Sequence, residues 1–151
     1  MPEVTGVEYK VLIADDEADI VNMLCRFFQS RGYRVFSAAS GSEAVALAQR
    51  GPDIILLDMN FSRDAISGQE GFESLEQILR IDPQAVVIFM TAYADTDKAV
   101  RAIKAGATDF IPKPWEKEKL LATLSSGIKL RRSRCEVNLL KEQVEVLSGA
   151  G

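Results

Sequence analysis

The chain is 151 residues long, with 18 basic residues against 22 acidic ones and a formal net charge of −4. That length suits one domain with a short appendage and a sizeable core, and an apolar share of 47% beside 26% charged residues excludes global disorder and the fibrous classes. The acidic balance leaves no footprint for nucleic acid across the whole domain, so direct nucleic-acid binding is not expected.

The first ten residues, Met1 to Lys10, are neither basic nor apolar, and the apolar runs that follow are strand-sized. Neither a signal peptide nor a membrane span is expected, and the chain reads as cytoplasmic. Val11 to Ala14 is a first strand, ending in Asp15, Asp16 and Glu17. Its unbroken apolar run predicts burial on both faces, as in a parallel sheet. Ile20, Val21, Leu24, Phe27 and Phe28 then repeat at helical spacing up to Gly32, where a helix would end. Tyr33 to Ser37 is a weaker strand nearer an edge, and Ser40 caps a helix closed by Gly51 and Pro52. A third strand, Ile54 to Leu57, runs into Asp58.

From Asn60 to Gly71 the sequence is polar, longer than the few residues usual for such a connection, and is expected to be a loop. Phe72, Leu75, Ile78 and Leu79 mark the next helix, stopped by Asp82 and Pro83, before a fourth strand from Val86 to Met90 that runs into Thr91. A helix from near Asp95 to Gly106 precedes a brief strand, Asp109 to Ile111, then Lys113 and Pro114, and a last helix from near Trp115. Strict alternation of strand and helix predicts an α/β, doubly wound, five-stranded parallel sheet with helices on both faces.

The last helix has no stop signal before about Leu147. Leu130, Val137, Leu140, Val144 and Leu147 follow an alternating three-and-four spacing in which Ser133 is the polar position. This face differs from the Leu120, Leu121, Leu124 and Ile128 face that would dock on the sheet, so the end of the helix is expected to project. The expected division is a globular domain over residues 1–128 and a helical linker or coiled-coil segment over 129–151. Cys25 and Cys135 share no metal-ligand spacing, and the chain has no histidine, which excludes a zinc site or a histidine triad. Both read as free thiols.

Ligands of doubly wound sheets bind at the carboxyl ends of the strands. Here those ends carry Asp15, Asp16, Asp58, Thr91 and Lys113. Taken singly, each has a bland reading as a helix cap or a turn residue. Together they place three carboxylates, a hydroxyl and an amine on one edge. Crowded carboxylates repel one another unless a cation joins them, and a hard divalent ion with oxygen ligands resolves the conflict.

Asp15-Asp16, Leu56-Leu57-Asp58, Met90-Thr91-Ala92 and Lys113-Pro114, in that order and each at its own strand end, resemble the receiver domains of two-component response regulators over roughly residues 8 to 128. The resemblance implies a flavodoxin-like (CheY-like) fold, with Asp58 as phosphoacceptor for a histidine kinase. It also implies Mg²⁺ held by Asp15, Asp16, Asp58 and the carbonyl of Asn60, with Thr91 and Lys113 on the phosphoryl oxygens. Phe110 matches the aromatic that turns inward on switching, though an ordinary core phenylalanine is its plain alternative. The small Ala92 would leave a path for the phosphoryl group, and a cis Lys113-Pro114 bond, which would aim the lysine inward, is expected.

The stretch from Gly106 to Trp115, with the tail, is similar to the NtrC-like subfamily, whose receivers precede a sigma-54-activating AAA+ ATPase and a DNA-binding domain. No Walker loop or basic recognition helix is present, so those effector domains are expected to be absent from this chain. The chain is then expected to be a phosphoacceptor switch, not an enzyme in the usual sense, with homodimerisation through its terminal helix. Two rivals are a receiver-like interaction module without the chemistry and a phosphatase with an aspartyl nucleophile. Asp58-Met59-Asn60 lacks the second carboxylate that such a phosphatase would use as general acid. The clearest departure from the family pattern is the segment after Asp58, and Tyr93 sits at a position that the resemblance ties to phosphate lifetime.

Overall fold

A computed structural model of the chain describes residues 9–58, 69–92, 96–113 and 115–149. Strands β1 (Lys10–Ala14), β2 (Arg34–Ala38), β3 (Ile54–Asp58), β4 (Val87–Ala92) and β5 (Asp109–Lys113) alternate with helices α1 (Ala18–Gln29), α2 (Gly41–Ala48), α3 (Gln69–Ile81), α4 (Thr96–Lys104) and α5 (Lys117–Gly149). All four strand pairings are parallel, in the order β2-β1-β3-β4-β5. The sheet and its CheY-like topology agree with the reading of the sequence. Beyond β1 the chain first winds towards β2 and then returns to the other side. This places the topological switch point, and so the ligand crevice, between the carboxyl ends of β1 and β3.

The unbroken apolar runs of the strands are explained by two cores. Leu12, Ala14, Ile55, Leu57, Val87 and Phe89 face one side, where they meet Ala44, Ala48, Leu75, Ile78 and Ala102 of α2, α3 and α4. Val11, Ile13, Ile54, Leu56, Ile88 and Met90 face the other, against Leu24 and Phe28 of α1 and Leu120, Leu124 and Ile128 of α5. Alternation is hidden because both faces are covered. At Gly127 α5 comes so close to the sheet that an added Cβ would collide with Ile54 Cδ1.

Some boundaries differ from the expected ones, each for a local reason. The Ser40 hydroxyl caps α2 by accepting from the Glu43 amide at 3.2 Å, as expected. The last helix starts at Lys117, not Trp115, and Trp115 packs half-buried against the α1/α5 core. The third helix starts at Gln69, so the end of the expected loop, through Gly71, is helical. Residues 59–68 lie outside the described ones. The fifth strand runs on through Lys113, with Pro112 opposite Thr91. Proline has no amide to donate and is tolerated there because β5 is an edge strand.

The terminal helix is continuous to Gly149. Leu130 is half-buried against the core, whereas Val137 is 47% exposed, Leu140 54%, Val144 62% and Leu147 82%. That gradient describes a helix that leaves the body and carries an uncovered apolar stripe.

Candidate functional site

Asp15 follows β1, Asp58 closes β3, Thr91 is the penultimate residue of β4 and Lys113 closes β5, so each local motif delivers its polar group to the same edge. Asp15, Asp58 and Thr91 are buried, and Asp16 is half-buried beside them. Register reinforces the grouping, since Asp58 pairs with Met90 and Thr91 is the next residue on that neighbouring strand. The backbone holds Asp15 in place from two directions: its amide donates to the Ala38 carbonyl at 3.0 Å, and its Oδ1 accepts from the Glu17 amide at 2.9 Å.

Lys113 ties the edge together. Its Nζ lies 2.7 Å from Asp15 Oδ2, 3.4 Å from Asp58 Oδ1 and 3.8 Å from Glu17 Oε1. Burial alone would lower the pKa of this ammonium, but the hydrogen bond it donates to Asp15 and the charges of Asp58, Asp15 and Glu17 outweigh it, and the net shift is upward. Lys113 is therefore held as a cation. Glu17, to which the sequence reading gave no role, is the outermost of its partners.

Asp15, Asp16 and Asp58 each offer a carboxylate oxygen within 4.8 Å of the others. An ion such as Mg²⁺, with bonds of about 2.1 Å, spans at most about 4.2 Å between opposite ligands and commonly keeps several waters. The donor set is all oxygen and its spacing suits one or two direct carboxylates with a third reached through water. The cluster fits a hard divalent cation.

Phe110 lies on β5 and is exposed, at 37% of the residue, outside both hydrophobic cores. Its plain alternative as a buried core phenylalanine is thereby corrected: Phe110 opposes Phe89 in register, but only Phe89 is packed inside. The Asn60 carbonyl, Tyr93 and the Lys113-Pro114 bond lie outside the described residues, and the Ala92 side chain is likewise not described. The reading of the sequence overlooked Arg131, a buried arginine on α5 whose partner Asp82 was taken only as a helix stop. The one available signal was a charge standing three residues after Ile128, where the apolar docking stripe would otherwise continue.

Comparison with known proteins matches residues 11–125 to the response regulator receiver domain. The chain is 33% identical over 135 residues to the nitrogen assimilation regulatory protein NtrX of Azorhizobium caulinodans, covering 89% of this chain and 29% of that protein. It is 32% identical over 123 residues to the sporulation initiation phosphotransferase F of Bacillus subtilis, covering 81% of this chain and 95% of that protein. Among solved structures, NtrX from Brucella abortus superposes with a TM-score of 0.77 at 25% identity, over 91% of this chain and 30% of that one. A CheY-like receiver domain protein from Methanospirillum hungatei does so with a TM-score of 0.75 at 26% identity, over 84% of this chain and 98% of that one. The chain thus spans about three tenths of the NtrX relative and nearly all of the sporulation phosphotransferase.

Proposed function

Because the chain belongs to the response regulator receiver domain family, we propose that Asp58 accepts a phosphoryl group from a histidine kinase and that the resulting charge switches the domain. The observation that carries this reading is the position of Lys113 Nζ, 3.4 Å from Asp58 Oδ1 and 2.7 Å from Asp15 Oδ2, at the rim of the switch-point crevice. Phosphoryl transfer asks a protein chiefly for an aligned nucleophile and for neutralisation of the oxygens around phosphorus. Asp58 supplies the carboxylate oxygen that attacks phosphorus as the bond to the kinase nitrogen breaks. Lys113 supplies positive charge on one side of the acceptor, and the Thr91 hydroxyl supplies a donor from the adjacent strand.

Asp15, Asp16 and Asp58, with the Asn60 carbonyl, would hold Mg²⁺, which when bound supplies the remaining positive charge at the phosphoryl oxygens. The role of Phe110 would be to turn inward once Thr91 is drawn towards the modified Asp58, converting a charge at the crevice into a shape change on the β5 edge.

The NtrX regulators that the chain resembles are several times longer, which supports reading it as the signal-receiving part of a larger transcriptional regulator with AAA+ and DNA-binding domains. The uncovered stripe on α5 supports self-association. Val137 and Val144 alternate with Leu140 and Leu147, a pattern that favours two parallel strands. In that register Glu136 of one copy would face Lys141 of the other.

The test is incubation with acetyl phosphate and Mg²⁺, read by intact mass. The expected result is one phosphoryl group per chain, lost in Asp58→Asn. Uptake by Asp58→Asn at the same level would overturn the assignment, and turnover of phosphate esters far beyond one equivalent would favour the phosphatase.

A further inference from the structure

The apolar face by which α5 docks on the sheet ends at Ile128, and the same stripe is continued by charge. Arg131, one turn on, is buried and forms a two-pronged pair with Asp82, Nη1 to Oδ1 at 3.0 Å and Nη2 to Oδ2 at 2.9 Å. Another three residues along, Arg134 Nη1 donates to the Ala85 carbonyl at 2.9 Å. Between them Arg132 reaches across the helix to the Tyr9 hydroxyl at 2.7 Å. Three guanidiniums in barely more than one turn therefore grip the connection from α3 to β4 and the residue that precedes β1.

The acceptor side is built to receive them. Asp82 Oδ1 also accepts from the Gln84 amide at 3.1 Å, so the carboxylate is fixed within its own turn before the arginine meets it. The Asp82 amide in turn donates to the Ile78 carbonyl at 2.8 Å at the end of α3, and the Ala85 amide to the Asp82 carbonyl at 2.9 Å. An apolar contact at this point would tolerate sliding and rotation of the helix. A planar fork on a carboxylate does not, because both hydrogen bonds fail together when the geometry drifts.

We propose that Arg131 and Arg134, locked onto Asp82 and Ala85, form a collar that sets the direction in which residues 135–149 leave the body and keeps them helical. These are positioning residues for the projecting helix. The inference does not depend on Asp58 being a phosphoacceptor. An exposed helical segment of this length is marginal on its own, and after Arg134 the helix stripe is exposed at Val137, Leu140 and Val144. Within a single copy, the contacts that hold it as a continuation of α5 lie at its root. The collar also fastens that root to α3 and to the start of β4, the strand whose far end carries Thr91.

The test uses the full chain with spin labels on Ala46→Cys in α2 and Glu142→Cys in α5, with Cys25→Ala and Cys135→Ser. Labelled chain is diluted into unlabelled chain so that distances within one molecule are read. The parent should give one narrow distance distribution. Arg131→Met with Arg134→Met should broaden it. Amide exchange over 135–147 should then quicken about tenfold or more, the scale of one lost hydrogen bond to a charged group. Amides of β1 and β3 should stay protected. A broad distribution in the parent, or a narrow one with unchanged exchange in the double variant, would overturn the proposal. Should the double variant lose protection in β1 and β3, Arg131→Lys decides: it keeps the charge and loses the fork, and broadening supports the collar while a parental distribution refutes it.

Discussion

Lys113 and Asp15 stand 98 positions apart in the chain, yet the Nζ of one is 2.7 Å from the Oδ2 of the other. The Asp15 side chain is fully buried and that of Lys113 only 19% exposed, so the two charges meet largely out of reach of water. Lys113→Met should therefore have two separable effects. The rate of Asp58 phosphorylation by acetyl phosphate should fall by about 100-fold or more, the scale of removing one charge-stabilising donor. Stability in the presence of a chelator should fall by about 3 kcal/mol, because a buried carboxylate loses its partner. Folding raises the pKa of Lys113, so its contribution is fully present below the ordinary lysine range and is lost as the pH climbs through the folded value. Urea unfolding of the parent and variant should accordingly converge at strongly alkaline pH. An unchanged phosphorylation rate would remove Lys113 from the chemistry.

Phe110→Ala is expected to leave folding nearly untouched, within about 1 kcal/mol, because the residue is exposed and belongs to neither core. Acetyl phosphate should still modify Asp58 in this variant. What should disappear is the phosphorylation-dependent change in solution mass. A variant that still responds like the parent would show that the aromatic is no part of the switch.

The exposed stripe of α5 makes its own prediction. Leu140→Glu with Val144→Glu should place like charges in the proposed seam and shift the chain to monomer by light scattering, with the melting curve of the globular part unchanged. If the parent is monomeric with and without beryllofluoride and Mg²⁺, the seam is not a contact between copies.

Gly127 tests the packing of α5 on the sheet. Its missing side chain lets the helix lie against Ile54, with Val86 Cγ1 and Ile88 Cδ1 at 3.4 and 3.5 Å from where a Cβ would stand. Gly127→Val should be destabilising by about 1–3 kcal/mol through overpacking, measured by urea unfolding. An equal or higher midpoint would mean that the helix can lift away without loss.

Much of this was legible from the residues because it is local. The strands declared themselves as short apolar runs, and the polar residues at their ends lay where a doubly wound sheet brings strand ends together. Asp15, Asp16, Asp58, Thr91 and Lys113 could thus be grouped without any contact being seen. The start of α3 at Gln69 was hidden because Ser67, Gly68 and Gln69 read as loop residues, and only tertiary packing decides such a boundary. The exposure of Phe110, beside the buried Phe89 on the next strand, is a matter of packing that no spacing encodes. The Arg131–Asp82 pair joins residues 49 positions apart, and nothing near either one names its partner.

Proline at position 112 has a mechanical consequence. Every inner strand of the sheet is held from two sides, whereas β5, like β2 at the opposite edge, has a single neighbour, and Pro112 brings no amide of its own to that strand. The strand that carries both Lys113 and Phe110 is thus an edge strand with one backbone donor fewer. A charge added in the crevice would therefore meet, through Lys113, a strand that the sheet holds from one side only.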